Sequence, residues 1–250
     1  MLRTNIILSL VILGLVEAAH IPQNYSSFNK RILNGENVDI KDAKFFTFFI
    51  CSNVACGATL VSPTRVITAA HCVVNCNVND AKLYMGMNSR DDINSGRADI
   101  YKASNLYLYP DYNQKPNKFY YDVAVFYING VVRQTDKVAP IAVSAEKPNL
   151  GINISCYGYG ATSVGGPGSN NLKKAVMKTT RYENNLIATD ARQNSVLPGD
   201  SGGPCVYNNK FIGDISGLVQ DGNGNPTENL ATLSSAPEIS NFLRSHGINF

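Results

Sequence analysis

The 250-residue chain has no tryptophan, three histidines and few charges. Asp, Glu, Lys and Arg make up 16% of it, against roughly 25% in a typical globular protein. With a net charge of +3 and no Lys/Arg run, a polyanionic partner such as nucleic acid is not expected. No Cys-x-x-Cys is present, and only His71 and His246 lie beyond residue 20. That spacing gives no metal site, zinc included, so no metal or cofactor is expected. Past residue 18 there is no second long apolar run, so no membrane span is expected. The chain also lacks an internal repeat and a long linker.

What is present suits a large core. Hydrophobic residues make up 44%, enough for one large β-domain or two fused halves. Six cysteines, Cys51, Cys56, Cys72, Cys76, Cys156 and Cys205, fit a disulfide framework in an oxidising compartment, with 15 possible connectivities.

Residues 1–18 read as a secretory signal peptide: Arg3, an apolar Ile6–Val16 run, then Val16-Glu17-Ala18. Residues 19–31 are polar and end in the dibasic Lys30-Arg31, just before Ile32-Leu33-Asn34-Gly35. This is the pattern of an activation propeptide followed by a mature domain over 32–250. Removing Arg3, Lys30 and Arg31 together with Glu17 brings the net charge to +1. A secreted, extracellular, monomeric protein is expected.

From residue 44 the signals are β. Aromatic and β-branched runs at 45–50, 57–61, 65–68, 82–86, 100–109, 123–128, 152–157, 174–180, 205–207 and 210–216 alternate with Gly/Pro/Asn turn clusters. Many short strands at this spacing predict an all-β barrel or sandwich. One terminal helix is expected, with Ser235 as cap, Pro237 in the first turn, Ile239, Phe242 and Leu243 on one face, and Gly247 as stop. His246 reads as a solvated end.

Pro198-Gly199-Asp200-Ser201-Gly202-Gly203-Pro204 cannot be regular helix or strand interior, because glycine frees the backbone and proline fixes it. Such a turn can hold a nucleophilic serine with N–H groups free to face a developing negative charge. A nucleophilic serine needs a base and an orienting acid. Thr68-Ala69-Ala70-His71-Cys72 offers the base. Asp122, entering the apolar run Val123-Ala124-Val125-Phe126, offers a carboxylate that is costly to bury unless paired.

These three blocks, in the order His71, Asp122, Ser201, together resemble the chymotrypsin-like (trypsin-like, S1) serine endopeptidases, and Ile32-Leu33-Asn34-Gly35 resembles the family's activated N-terminus. The resemblance runs from Arg31 to the C-terminal helix. It implies two six-stranded antiparallel β-barrels with the active site in the cleft between them, and a C-terminal α-helix. It also implies Ser201 as nucleophile, His71 as base, Asp122 as orienting acid, and the N–H groups of Gly199 and Ser201 as the oxyanion hole. Cleavage after Arg31 frees Ile32, whose ammonium pairs with Asp200. The implied partners are protein or peptide substrates, an activating protease and protein inhibitors. Cys56–Cys72 resembles the family's bridge beside the histidine. Cys156 and Cys205 are displaced by two residues in opposite directions from the family's usual pair, steps that keep facing on antiparallel strands. Cys51–Cys76, flanking the first bridge, completes the set.

The chain departs from the family pattern around the substrate cleft. Leu197 stands where a bracing cysteine is common, Gly158-Tyr159-Gly160 replaces Gly-Trp-Gly, and Ser216-Gly217-Leu218 replaces the aromatic wall Ser-Trp-Gly. The resemblance puts Ser195 at the pocket floor, with Ser216 and Leu218 on its wall. A neutral floor favours an aromatic or aliphatic preference, chymotrypsin- or elastase-like, over Lys or Arg. The alternative reading is a non-catalytic homologue acting as a secreted binding or regulatory protein. Asn24-Tyr25-Ser26 and Asn153-Ile154-Ser155 are glycosylation sequons.

Overall fold

The computed structural model describes residues 35–112, 119–163 and 165–250. The expected signal peptide and propeptide, with Arg31 and Ile32, lie outside the described residues. A short strand, β1 (Glu36–Asn37), leads in. Strands β2 (Phe46–Cys51), β3 (Val54–Ser62), β4 (Arg65–Thr68), β5 (Lys82–Met85), β6 (Asp99–Leu108) and β7 (Ala124–Ile128) then close an antiparallel barrel in the order β2-β3-β4-β7-β6-β5. A single helical turn, α1 (Asp91–Asn94), joins β5 to β6.

The second barrel uses β8 (Asn153–Gly158), β9 (Lys173–Glu183), β10 (Leu186–Asp190), β11 (Pro204–Tyr207), β12 (Lys210–Gln220) and β13 (Pro226–Leu233). Their order is β9-β10-β13-β12-β11-β8, and β8 also pairs with β9, which closes the sheet; β1 adds to β9 from outside. Helix α2 (Pro237–Ser245) ends the fold. The architecture is the expected pair of six-stranded antiparallel barrels.

Why β2 is apolar on both faces follows from its place. Phe49 points into the first barrel and meets Phe126 edge-on, with ring centroids 5.1 Å apart. Phe46 and Phe48 point the other way and pack edge-on against Tyr159 at 5.5 and 5.7 Å. A strand buried on both faces has no polar side to show. Tyr159, fully buried at the junction of the barrels, donates its hydroxyl to the Met87 carbonyl at 2.8 Å.

Besides the two-residue β1, the structure adds two strands that the sequence pattern did not reveal, β10 and β13. β10 follows a two-residue turn, Asn184-Asn185, with Asn184 at φ +50°; asparagine tolerates that left-handed shape. β13 starts at a proline and buries Asn229, so it carries no apolar alternation.

Two expectations near the C-terminus are corrected. Ser235 does not cap α2: Ala236 holds that position without a side-chain bond, and the Ser235 hydroxyl is buried without a partner among the described residues. His246 is not a solvated end. Its ring stacks on Tyr107 at 4.8 Å and its Nδ1 lies 3.0 Å from the Tyr127 hydroxyl, while Arg65 Nε donates to its carbonyl. Burial and the Arg65 charge lower its pKa. The second barrel's terminal helix is thereby fastened to the first barrel.

The disulfides are Cys51–Cys76, Cys56–Cys72 and Cys156–Cys205. Cys156 and Cys205 are directly opposed on β8 and β11.

Candidate active site

The first barrel contributes an imidazole and a carboxylate. β4 ends at Thr68, whose hydroxyl donates to the Gly57 carbonyl at 2.8 Å. The chain then turns through a 3-10 segment, Ala70–Cys72, and Cys72 is bonded to Cys56 on β3. This ties down the turn that carries His71. Asp122 lies two residues before β7, after Tyr121 at φ +59°. Its side chain is fully buried, while the His71 ring is about one third exposed.

The Asp122 carboxylate is well supplied with donors. Oδ2 lies 2.7 Å from His71 Nδ1 and accepts from the Ser216 hydroxyl at 2.5 Å; Oδ1 accepts from the His71 backbone N–H at 2.8 Å. The Thr232 hydroxyl donates to the Asp122 carbonyl at 3.0 Å. The bond between Asp122 and Nδ1 leaves Nε2 as the free face of the ring. Nε2 lies 3.6 Å from the Cys72 sulfur. Although Cys56, His71 and Cys72 converge like metal ligands, both sulfurs are in a disulfide and offer no thiolate.

The second barrel contributes Ser201 in a glycine-rich turn. Gly199 and Gly202 have φ of +99° and +74°. The need for glycine is also steric. A Cβ on Gly202 would collide with the Thr68 hydroxyl and the Gly57 carbonyl, and one on Gly57 would meet the Gly203 backbone. The two barrels therefore touch backbone to backbone here, with the Gly57 N–H donating to the Ser201 carbonyl at 2.9 Å. That contact sets the Ser201 turn beside the strand pair that leads to His71. Among the described residues, the N–H groups of Gly199 and Ser201 and the Ser201 hydroxyl have no hydrogen-bond partner.

Asp200 points away from the cleft. It is 1% exposed and accepts from Gly160 N at 2.7 Å and Leu197 N at 2.9 Å. Gly158 and Gly160 make room for it: a Cβ on either would strike its carboxyl. Burial pushes its pKa up to about 6, against the lowering effect of the two N–H bonds and the Arg90 charge. Among the described residues it has no ion-pair partner.

A cavity of about 370 Å³ opens beside Ser201. Val196, Leu197, Ile215, Gly217, Leu218 and Gln220 help to line it, and no lining side chain is charged. Of the three expected pocket residues, only Leu218 lies on this lining. Ser195 is fully buried behind it, with its hydroxyl on the Val196 carbonyl and Asn229 Oδ1. Ser216 is turned instead to Asp122. The apolar residues Val196 and Ile215 lie on the lining, and Ser195 does not.

Three functional neighbours escaped that reading. Asn229 bonds Val196 N at 2.9 Å and Asn194 O at 3.0 Å, so it holds the cavity wall; an asparagine in mid-strand was the available signal. Asp214 is fully buried on β12, and its Oδ2 has no partner among the described residues. Phe119, three residues before Asp122, lies against Gly217.

Comparisons with known proteins agree with this fold. The family model described as Trypsin matches residues 32–236. A trypsin from Saccharopolyspora erythraea is 28% identical over 201 residues, covering 74% of this chain and 86% of the relative. Trypsin, alkaline C, from Manduca sexta is 26% identical over 237 residues, covering 85% and 89%. The crystal structure of the scabies mite inactivated protease paralogue S-D1 superposes with a TM-score of 0.73 at 17% identity, covering 86% of this chain and 98% of the other. The family model's match over residues 32–236 settles what two closed barrels and a glycine-framed serine point to: the chain belongs to the trypsin family of serine proteases.

Proposed function

We propose that the chain is a secreted serine endopeptidase made as a zymogen, with the mature domain at 32–250 and a preference for apolar primary side chains. The observation that carries this reading is the hydrogen-bonded Asp122–His71 pair, set across the barrel junction from Ser201 and two unpaired backbone N–H groups.

In the proposed mechanism Ser201 Oγ attacks the peptide carbonyl while His71 Nε2 takes its proton. The bond from Nδ1–H to Asp122 fixes the tautomer and stabilises the imidazolium. Charge that develops on the carbonyl oxygen is met by the N–H groups of Gly199 and Ser201, worth about 3 kcal/mol for one such donor. His71 then protonates the leaving amine, and water, activated by the same base, frees the acyl group from Ser201. Among the described residues, 217–220 of β12 have a strand neighbour only on the β13 side. A substrate backbone can add to that open edge, as an extended peptide adds to a sheet. The uncharged cavity lining offers no counter-ion to Lys or Arg, so cleavage follows aromatic or aliphatic residues.

Activation rests on Asp200. A fully buried carboxyl with its pKa raised to about 6 has no ion-pair partner among the described residues, and cleavage after Arg31 creates a cation at the Ile32 amino group. Pairing the two fixes the Ser201 turn through Leu197 and Gly160.

A second reading, a non-catalytic homologue that binds or regulates other proteins, draws on the absence of a Ser201–His71 bond among the described residues and on the fold shared with an inactivated paralogue. Fold alone does not decide between them. Catalytic hydrogen bonds are often long until substrate is bound, which favours the enzyme. The test is to cleave the precursor at Arg31 and titrate it with a phosphonate that labels activated serines. One equivalent of label on Ser201, faster than on the uncleaved chain, is expected. Folded, processed protein that takes up no label is the inactive homologue. A peptide library cleaved mainly after Lys or Arg would refute the specificity.

A further inference from the structure

The triplet Asn153-Ile154-Ser155 takes no part in the proposed mechanism. Asn153 opens β8. Along this strand Ile154 and Cys156 turn into the second barrel, while Asn153 and Ser155 face outward. On β9 the outward residues opposite them are Lys178 and Val176. β11 pairs with β8 only at Ser155 and Cys156, so among the described residues Asn153 has a strand neighbour on one side alone. Its side chain is exposed and has no hydrogen-bond partner among the described residues.

A groove of about 510 Å³ opens beside it, lined by Val176, Lys178, Asp190, Gln193 and Asn194 together with Asn153 itself. Val176 is 41% exposed, and the Asn194 amide donates to its carbonyl at 2.6 Å. The groove thus offers an aliphatic surface ringed by amide, carboxylate and ammonium groups. A sugar ring, with its C–H faces and its rim of hydroxyls, matches that chemistry. Arg192, exposed and paired with Asp190, projects from the turn on the groove's margin. A protease that cuts after Arg31 meets it as a second accessible arginine.

Two other triplets begin with asparagine and end in serine or threonine. Asn24-Tyr25-Ser26 precedes Arg31 and leaves with the expected propeptide, and Asn225-Pro226-Thr227 has a proline at the middle position, which bars glycosylation.

We infer that Asn153 is an N-glycosylation site whose glycan fills this groove and covers the turn at 190–194. This rests on the secreted reading of the chain given above. In the transfer, Asn153 Nδ2 bonds to C1 of the first sugar of a polyprenyl-diphosphate oligosaccharide. The C1–O bond to the diphosphate breaks, polyprenyl diphosphate leaves, and Nδ2 gives up one proton. A bulky, hydrated oligosaccharide at this point keeps a protease from the bond after Arg192. Asn153 and Gly158 are the two ends of β8, about 16 Å apart. Gly158 is the end that packs on Asp200, so the glycan stands clear of the Ser201 turn.

The test expresses the full chain, with its own N-terminus, in a eukaryotic secretory host. Peptide mass spectrometry of the processed protein, before and after peptide N-glycosidase treatment, should find a glycan on Asn153. Asn153→Gln and Ser155→Ala should lack it, and Ser155→Thr should keep it. The glycoprotein, the same folded protein trimmed enzymatically to one sugar, and Asn153→Gln protein are then exposed to an Arg-specific protease. Cleavage after Arg192 should be several-fold faster in the last two, with phosphonate labelling of Ser201 unchanged. The trimmed protein serves where the variant fails to fold. A secreted chain with Asn153 unmodified overturns the proposal and leaves secretion standing. A chain that is not exported overturns the secreted reading and the site with it. Equal cleavage after Arg192 with and without the glycan overturns the covering of the turn.

Discussion

The two barrels share a strand count and differ in what they enclose. The first is lined by Phe49, Leu60, Val66, Leu83, Met85 and Phe126, and two of the three disulfides staple its loops. The second encloses Asn229, Thr179, Thr189 and Ser195, and it holds Asp200 and Asp214, fully buried carboxyls whose pKa values are raised by burial. Buried polar groups are costly unless satisfied. The contrast teaches where the fold places its buried carboxyls: a mostly apolar barrel, with Thr47 and Thr59 buried in its strands, presents His71 and Asp122, and one with Asp200 and Asp214 buried holds the turn and the cavity around Ser201.

The largest expected effect breaks the pairing of the barrels itself. Ser201→Ala on one side, or His71→Ala on the other, should lower kcat by roughly 10⁴–10⁶-fold, and the double variant should be no worse than the more damaging single one, since these residues act as a unit. Unfolding midpoints should move by only a few degrees, because neither residue is a core contact. Additive losses in kcat would mean that the two barrels do not act on one reaction.

The next contrast is in the cores. Phe126→Ala in the first barrel leaves a cavity and should cost about 3–5 kcal/mol. Turnover per folded molecule should hold. Asn229→Ala in the second leaves Val196 N and Asn194 O without their partner and should cost about 1–3 kcal/mol. It should also raise KM for peptides, because Val196 lines the cavity. Urea unfolding with parallel kinetics checks both. Asn229→Ala protein with a normal KM would remove the link between the polar interior and the site.

The same division governs what could be read from the sequence. The first barrel's strands announce themselves because their runs are apolar and β-branched: Arg65–Thr68 was legible to the residue. The blocks around His71, Asp122 and Ser201 stood out because glycine and proline around Ser201, and a lone aspartate before Val123, have few other uses. The strands that stayed hidden, β10 and β13, both belong to the polar barrel, where Asn229 in mid-strand erases the alternation. Ser195 was misplaced for a related reason. Spacing from Ser201 fixes its position along the chain, but the bond to Asn229 that turns it away from the cavity comes from a strand 34 residues further on. Phe119 stayed hidden because its partner, Gly217, is 98 residues away, and a missing side chain gives no signal of what replaces it.

A smaller effect tests the stapling of the first barrel. Replacing Cys51 and Cys76 by serine opens a loop of 25 residues and should cost about 2–4 kcal/mol. The expected signature is a lower urea midpoint with unchanged phosphonate labelling, since the Cys56–Cys72 bridge still ties down the His71 turn. Loss of labelling would show that the loop stapled by this bridge helps to position His71.

The smallest and most diagnostic effect concerns Asp214. It pairs with Thr232 across β12 and β13, and Thr232 in turn bonds the Asp122 carbonyl, so the carboxyl lies close to a second buried acid. Burial first, and the Asp122 charge second, hold its pKa well above the usual carboxylate range. A raised pKa means that the folded state binds the proton more tightly than the unfolded one. Its contribution to stability is then complete below about pH 4, the unfolded value, and declines as pH rises towards the folded value. Asp214→Asn removes that decline. The variant should match or trail the wild type at pH 3, where an unpaired amide is no better than an unpaired acid. Its relative stability should then rise with pH above 4 by up to about 1.4 kcal/mol per unit. Urea unfolding of both proteins from pH 3 to 7 measures the gap. A gap that stays flat across this range would mean that Asp214 ionises as readily folded as unfolded, and the second barrel would then hold no strained acid beyond Asp200.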